Sequence, residues 1–246
     1  MITLLLVLFS LLAHAGTTDR FATGDAAFRN RADAGNARQA LVLYRESYKR
    51  EPDAASAWRV SMACYFLGFH LKSEPSQKRE LFAEGRDAGV AGVGREEPCV
   101  ACHFWAAVNM ALYGNEVGAF KMLTTLTELR AHLHRSLELD PSFAYGGAYR
   151  LLGLIEQKLP GILGGNNRRA RDYFEKAIAI APDEPLNYMF MAKLLHDEFN
   201  DKTAAREFAR RGKDLAAPAL ERVESIEAQT ELQAIFNAEG EQFGQR

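Results

Sequence analysis

Small, aromatic and proline positions recur along this chain at a fixed spacing. In ARDYFEKAIAIAP, Ala170 and Phe174 lie one helical turn apart, and Pro182 follows eight residues after the aromatic. ALVLYRESYKREP repeats the pattern with Ala40, Tyr44 and Pro52, and LRAHLHRSLELDP with Leu129, Leu133 and Pro141. AAREFARRG offers Ala204 and Phe208. A second series falls between these segments: Trp58, Ser61-Met62 and Tyr65 after Pro52, Tyr149, Leu152-Gly153 and Glu156 after Pro141, and Tyr188, Met191-Ala192 and Leu195 after Pro182. Apolar positions one turn apart make a stripe down one face of a helix. The small residue lets a neighbouring helix approach, and the aromatic fills the space one turn on. Proline stops the helix, because it lacks an N–H and crowds the preceding turn.

The two alternating series predict pairs of antiparallel helices whose open faces bury one another by stacking. Their spacing resembles that of tetratricopeptide (TPR) repeats. The expected fold is all-α, a TPR-like α-solenoid over residues 16–246. LERVESIEAQTELQAIF, from about residue 220, reads as a capping helix, with Glu221, Glu224 and Glu227 on an exposed face. Three stretches interrupt the pattern. HLKSEPSQ lengthens a turn, GRDAGVAGVGREEP (residues 85–98) reads as a glycine-rich loop before a helix start, and KLPGILGGNN (158–167) sits inside a helix pair. In GGNNRRARD the glycines shape that loop and Asn166 or Asn167 caps the next helix; the segment matches neither the P-loop nor the dinucleotide fingerprint.

The first fifteen residues read differently. An apolar run from Ile2 to Leu12 precedes Ala13-His14-Ala15, small residues where a signal peptidase cuts. The run is too short to span a bilayer. The expectation is a secretory leader at residues 1–15, a mature chain from Gly16 that is periplasmic or otherwise exported, and no transmembrane segment in it. The 246-residue chain as a whole is 48% apolar and 25% charged with a net charge of -2, enough for a sizeable core. That balance argues against nucleic acid as a partner, which needs a concentrated basic surface.

The sharpest chemical signal is PCVACHFW. Cys99, Cys102 and His103 fit the C-x-x-C-H pattern of covalent haem c attachment, and an exported chain is where that attachment occurs. Pro98 after two glutamates also makes this a helix start, with Trp105, Val108-Asn109 and Leu112 in the slots held by Trp58, Ser61-Met62 and Tyr65. The repeat accounts for these residues without a cofactor, and small cysteines pack readily at the head of a buried helix. Haem c electron transfer stays as the alternative, and thiol–disulfide redox chemistry at Cys99 and Cys102 as a second. His132 and His134, two apart, point about 200° apart on a helix, which does not suit one metal. No Ser/His/Asp grouping or paired-carboxylate context stands out, so the chain reads as a non-enzyme with no metal.

CHFWAAVNMALYG, LELDPSFAYGGAYRLLG, KLPGILGG and RARDYFEKAIAIAPDEPLN resemble the T-component family of TRAP transporters, periplasmic TPR-like proteins. That resemblance implies a scaffold contacting the transporter's solute-binding protein. Independently, the concave face of a TPR stack is built mostly by the first helix of each pair. Residues flanking its stripe are the candidate binding set: Arg59, Phe66, His103, Met110, Tyr113, Arg150, Leu154, Gln157, Met189, Lys193 and His196. Their mix of cations, aromatics and Met suits a peptide or an extended partner segment.

Overall fold

The computed structural model describes residues 19–71, 74–216 and 222–243. It contains helices α1 (Ala22–Arg29), α2 (Ala34–Arg50), α3 (Ala54–His70), α4 (Pro75–Arg95), α5 (Val100–Val117), α6 (Ala119–Leu139), α7 (Phe143–Lys158), α8 (Asn167–Ile180), α9 (Pro185–Asp197), α10 (Lys202–Lys213) and α11 (Arg222–Phe243). No strand occurs among the described residues. The fold is an all-α, TPR-like solenoid. Each helix packs on its successor in the chain, and α3, α5, α7, α9 and α11 also touch in succession, so the first helices of the pairs form an inner layer.

The spaced residues build this stack as the sequence predicts. Ala40, Tyr44, Leu129, Leu133, Ala170 and Phe174 are all fully or almost fully buried. Pro52, Pro141 and Pro182 fall in the short turns between helices. Helix starts carry side-chain caps: Asp33 Oδ1 accepts from Asn36 N at 3.0 Å, Asp53 Oδ1 from Ser56 N at 2.9 Å, and Asn166 Oδ1 from Arg169 N at 3.0 Å. Each occupies one orphan N–H of a first turn. Asn166 is thus the cap of α8.

Three sequence expectations change. The glycine-rich segment 85–98 is no loop down to Arg95: α4 runs unbroken through Gly85, Gly89, Gly92 and Gly94. Gly85, Gly89 and Gly92 lie on one stripe, and that stripe faces α5. A Cβ on Gly89 would lie 2.8 Å from Ala106 Cα, and one on Gly92 2.7 Å from Cys102 Sγ. Glycine, a poor helix former, is present here because two backbones meet.

The fourth copy shifts by one position. Ala205, Ala209 and Gly212 are buried, while Ala204 and Phe208 are half-buried. Two adjacent alanines offer both registers, and the buried one brings Gly212 against Tyr188, 2.5 Å from Tyr188 Cβ for an added Cβ.

The closing helix does more than cap. It packs on α9 and α10 as expected, but its first turns reach back to the other end of the stack. Glu224, expected on an exposed face, is buried against Arg31 with Nη2–Oε2 at 2.8 Å. Glu227 remains about half exposed and pairs with His70 Nδ1 at 2.9 Å. Glu221 and the leader at 1–15 lie outside the described residues.

Candidate functional site

The return of α11 makes the inside of the solenoid a chamber. A cavity of about 370 Å³ is lined from α1 by Asp25, Phe28, Arg29 and the following Arg31, from α2 by Tyr44, from α3 by Trp58, Met62 and Tyr65, and from α5 by Trp105. Residues 142–145 at the start of α7, and Glu224 of α11, complete the wall. Aromatic rings dominate it: Tyr65 and Trp105 have centroids 5.1 Å apart, and Phe28, Tyr44 and Trp58 stand in the same lining. The indole Nε1 of Trp105 is buried and has no hydrogen-bond partner among the described residues. Such an orphan donor is costly in an apolar wall.

Charges sit at fixed points of this surface. Asp25 accepts from Tyr44 Oη at 2.8 Å and from Arg59 Nε and Nη2 at 2.9 and 3.0 Å. Burial pushes the Asp25 carboxyl up, but the hydrogen bonds from Arg59 and Tyr44 and the charges of Arg59 and Arg29 hold it below its ordinary value. Burial, reinforced by the hydrogen bond to Asp25, raises the Tyr44 hydroxyl far out of the physiological range, so it stays protonated. Opposite, the chain turns left-handed over three consecutive residues: Ala144 (φ 50°), Tyr145 (φ 55°) and Gly146 (φ 77°). Only glycine adopts this freely. The guanidinium of Arg150 holds the turn, donating to the carbonyls of Ala144 at 2.7 Å and Tyr145 at 2.6 Å, and to Asn187 Oδ1 at 2.8 Å.

None of the eleven sequence-predicted binding residues lines this chamber. Phe66 and Met110 are core side chains, and Gln157 is buried. Arg59 is half-buried beneath the wall, stacked over Phe21 and Trp58 and paired with Asp25. Tyr113 lies under the Arg86 guanidinium, and Leu154 and Met189 are half-buried, Met189 against the Tyr188–Leu232 cluster. Lys193 pairs with Glu231 at 2.8 Å and His196 with Asp197 at 2.7 Å. Arg150 acts on the wall's backbone from behind. The lining residues on α3 are Trp58, Met62 and Tyr65, one position before Arg59 and Phe66 and a turn between. One residue is 100° of helix rotation. The aromatic stripe itself, read in sequence as packing between helices, was the signal for the chamber.

His103, the remaining candidate, is buried and its ring is fully engaged. Its Nε2 lies 2.9 Å from the Glu97 carbonyl oxygen and its Nδ1 2.8 Å from His132 Nδ1. The carbonyl requires a proton on Nε2, and which ring donates between the two Nδ1 atoms depends on the tautomer. Burial, together with the neighbouring His103, lowers the His132 pKa.

Cys99 and Cys102 are joined in a disulfide across the first turn of α5. These residues do not fit a haem. Cys102 is fully buried, packed where α4 has Gly92 for want of space, and both nitrogens of His103 are taken. A porphyrin has no face to occupy. No group of three or more His, Cys, Asp or Glu side chains placed to hold a metal occurs among the described residues. No described helix is long and apolar enough to cross a membrane.

Residues 21–238 match the family described as Regulator of microtubule dynamics protein 1-3. The chain belongs to that family. It is 23% identical over 164 residues to Regulator of microtubule dynamics protein 1 of Mus musculus, covering 67% of this chain and 52% of that protein. The protein of the same description in Caenorhabditis elegans is 25% identical over 128 residues, 50% of this chain and 53% of the relative. The chain thus spans about half the length of these relatives. A thermophilic TPR protein of Thermus thermophilus superposes with a TM-score of 0.64 at 14% identity, covering 89% of this chain and 98% of that one, a likeness of fold. The resemblance to TRAP T-components holds at the level of a TPR-like helical repeat protein. The family matched is the microtubule-dynamics one.

Proposed function

We propose that the chain is a non-enzymatic scaffold that holds a segment of a protein partner in its inner chamber. The carrying observation is the aromatic wall of Trp58, Tyr65 and Trp105, with Arg29 in the same lining. A partner segment bearing an apolar side chain and a carboxylate would suit the rings and the guanidinium in turn.

Two finer readings differ in the partner. The relatives' name supports a partner belonging to microtubules. The apolar run Ile2–Leu12 with Ala13-His14-Ala15 supports an exported chain, and the resemblance of KLPGILGG and RARDYFEKAIAIAPDEPLN to TRAP T-components supports a solute-binding protein as its partner. Co-sedimentation with polymerised tubulin and co-purification from cell envelopes separate them.

The chamber itself is tested by fluorescence. Both tryptophans of the chain, Trp58 and Trp105, line it. A bound segment should shift or quench their emission, and Trp58→Ala should weaken binding by about tenfold or more. Ile162→Ser, on a loop where that side chain is 94% exposed, should change neither. Binding with unchanged emission, and unaffected by Trp58→Ala, would place the partner elsewhere.

A further inference from the structure

The function proposed for the chamber leaves one chemical group of the sequence unused. We infer that Cys99 and Cys102 form a thiol–disulfide exchange centre, opened by a small thiol that attacks Cys99. This inference does not depend on what the chamber binds.

The two sulfurs are not equivalent. Cys102 is fully buried, packed against Gly92 of α4, with its Sγ 3.6 Å from the Ala54 carbonyl oxygen of α3. Cys99 is half-buried at the N-cap of α5, in the turn after Pro98. An incoming thiolate therefore meets Cys99 first, and access decides which sulfur of a disulfide is attacked.

The fold also provides for both products. The backbone N–H of Cys102 donates to Cys99 Sγ at 3.2 Å, and the first turn of a helix favours negative charge, so a thiolate released at Cys99 is stabilised where it forms. Glu97, the nearest carboxylate in sequence, is engaged by Arg135 through Nε and Nη2 at 2.6 and 2.8 Å. On the buried side, the Ala54 carbonyl oxygen lies 3.6 Å from Cys102 Sγ. In the disulfide that sulfur has no proton to offer, and reduction turns it into an S–H donor facing a ready acceptor. Both hydrogen bonds of the dithiol form thus exist in the same backbone, and the centre cycles without unfolding α5.

The reaction balances with two thiols. The first thiolate bonds to Cys99 Sγ, breaks the S–S bond and leaves Cys102 as a thiol after it takes up a proton. The second attacks the small thiol's sulfur in the mixed disulfide and leaves as its symmetric disulfide, releasing the Cys99 thiolate. Two electrons pass from the small thiols to the protein, and the reverse sequence reoxidises it. The third cysteine, Cys64, is buried in the core, where burial raises its thiol well above the ordinary range, so it serves as an internal reference.

The test uses the full chain in buffers of graded dithiothreitol redox ratio, quenched with iodoacetamide and read by intact mass and circular dichroism. Expected is a single step in which two alkyl groups appear together, on Cys99 and Cys102, with helicity unchanged and Cys64 unmodified. With oxidised glutathione, Cys102→Ser should take one adduct at Cys99, and Cys99→Ser should react at Cys102 at least about tenfold more slowly. Opening only in denaturant, alkylation of Cys64 in parallel, or equal adduct rates in the two variants would each overturn the proposal. The wild-type titration alone decides it if either variant fails to fold.

Discussion

Arg31 and Glu224 lie 193 positions apart in the chain and meet at 2.8 Å, both almost completely withdrawn from solvent. This ion pair ties the turn after the first helix to the first turn of the last one, and so closes the chamber. Arg31 also stacks over Phe28 and Phe66, with its guanidinium carbon 4.8 and 5.3 Å from the ring centroids.

Removing one partner of a buried pair strands the other charge. Glu224→Ala should therefore destabilise the chain by about 3–5 kcal/mol. Arg31→Met with Glu224→Leu, which removes both charges, should cost less than Glu224→Ala alone. Urea denaturation of wild type and the two variants checks this; a double variant at least as unstable as Glu224→Ala would contradict it.

The glycine stripe of α4 makes a contrasting pair of predictions. Gly89→Ala pushes a methyl into the backbone of α5 and should cost about 1–3 kcal/mol. Gly94→Ala, where nothing lies within 4 Å of the new Cβ, should instead stabilise by up to about 1 kcal/mol through helix propensity. Thermal melts of the two variants should move in opposite directions from wild type.

Asp25 sets an acid limit. Its carboxyl is held below the ordinary value of 3.8, so folding is favoured by its ionised form. That contribution is present above the unfolded pKa and is lost as pH falls through the folded one. The stability gap between wild type and Asp25→Asn should be widest near about pH 6 and close as the pH drops below 3.8. A gap that grows on acidification would reverse the sign assigned here.

The left-handed turn at the start of α7 is strained at two non-glycine positions. Ala144→Gly should relieve about 1 kcal/mol, the penalty that a Cβ adds at positive φ less the entropy glycine adds to the unfolded chain. Ala148→Gly, buried in the right-handed part of the same helix, should destabilise. Denaturation midpoints of the two give the comparison.

The helices, their pairing and most of their buried stripes follow from the sequence alone. Ala40 and Tyr44, Leu129 and Leu133, and Ala170 and Phe174 announce themselves, because a local period of one helical turn is written in neighbouring residues. The motif of Cys99 and Cys102 is equally visible, but the sequence left open whether the two pair, and the disulfide is a finding of the structure. What the tertiary structure alone decided is long-range. Gly85, Gly89 and Gly92 read as a loop until α5 is seen lying against them. Trp58, Met62 and Tyr65 read as packing until α1 and α11 are seen to leave a space in front of them. Glu224 reads as solvated until Arg31 arrives from the opposite end of the chain. A period along the chain fixes which face of a helix is apolar, but which neighbour meets that face, and whether it fills the space, depends on how the stack curves and closes.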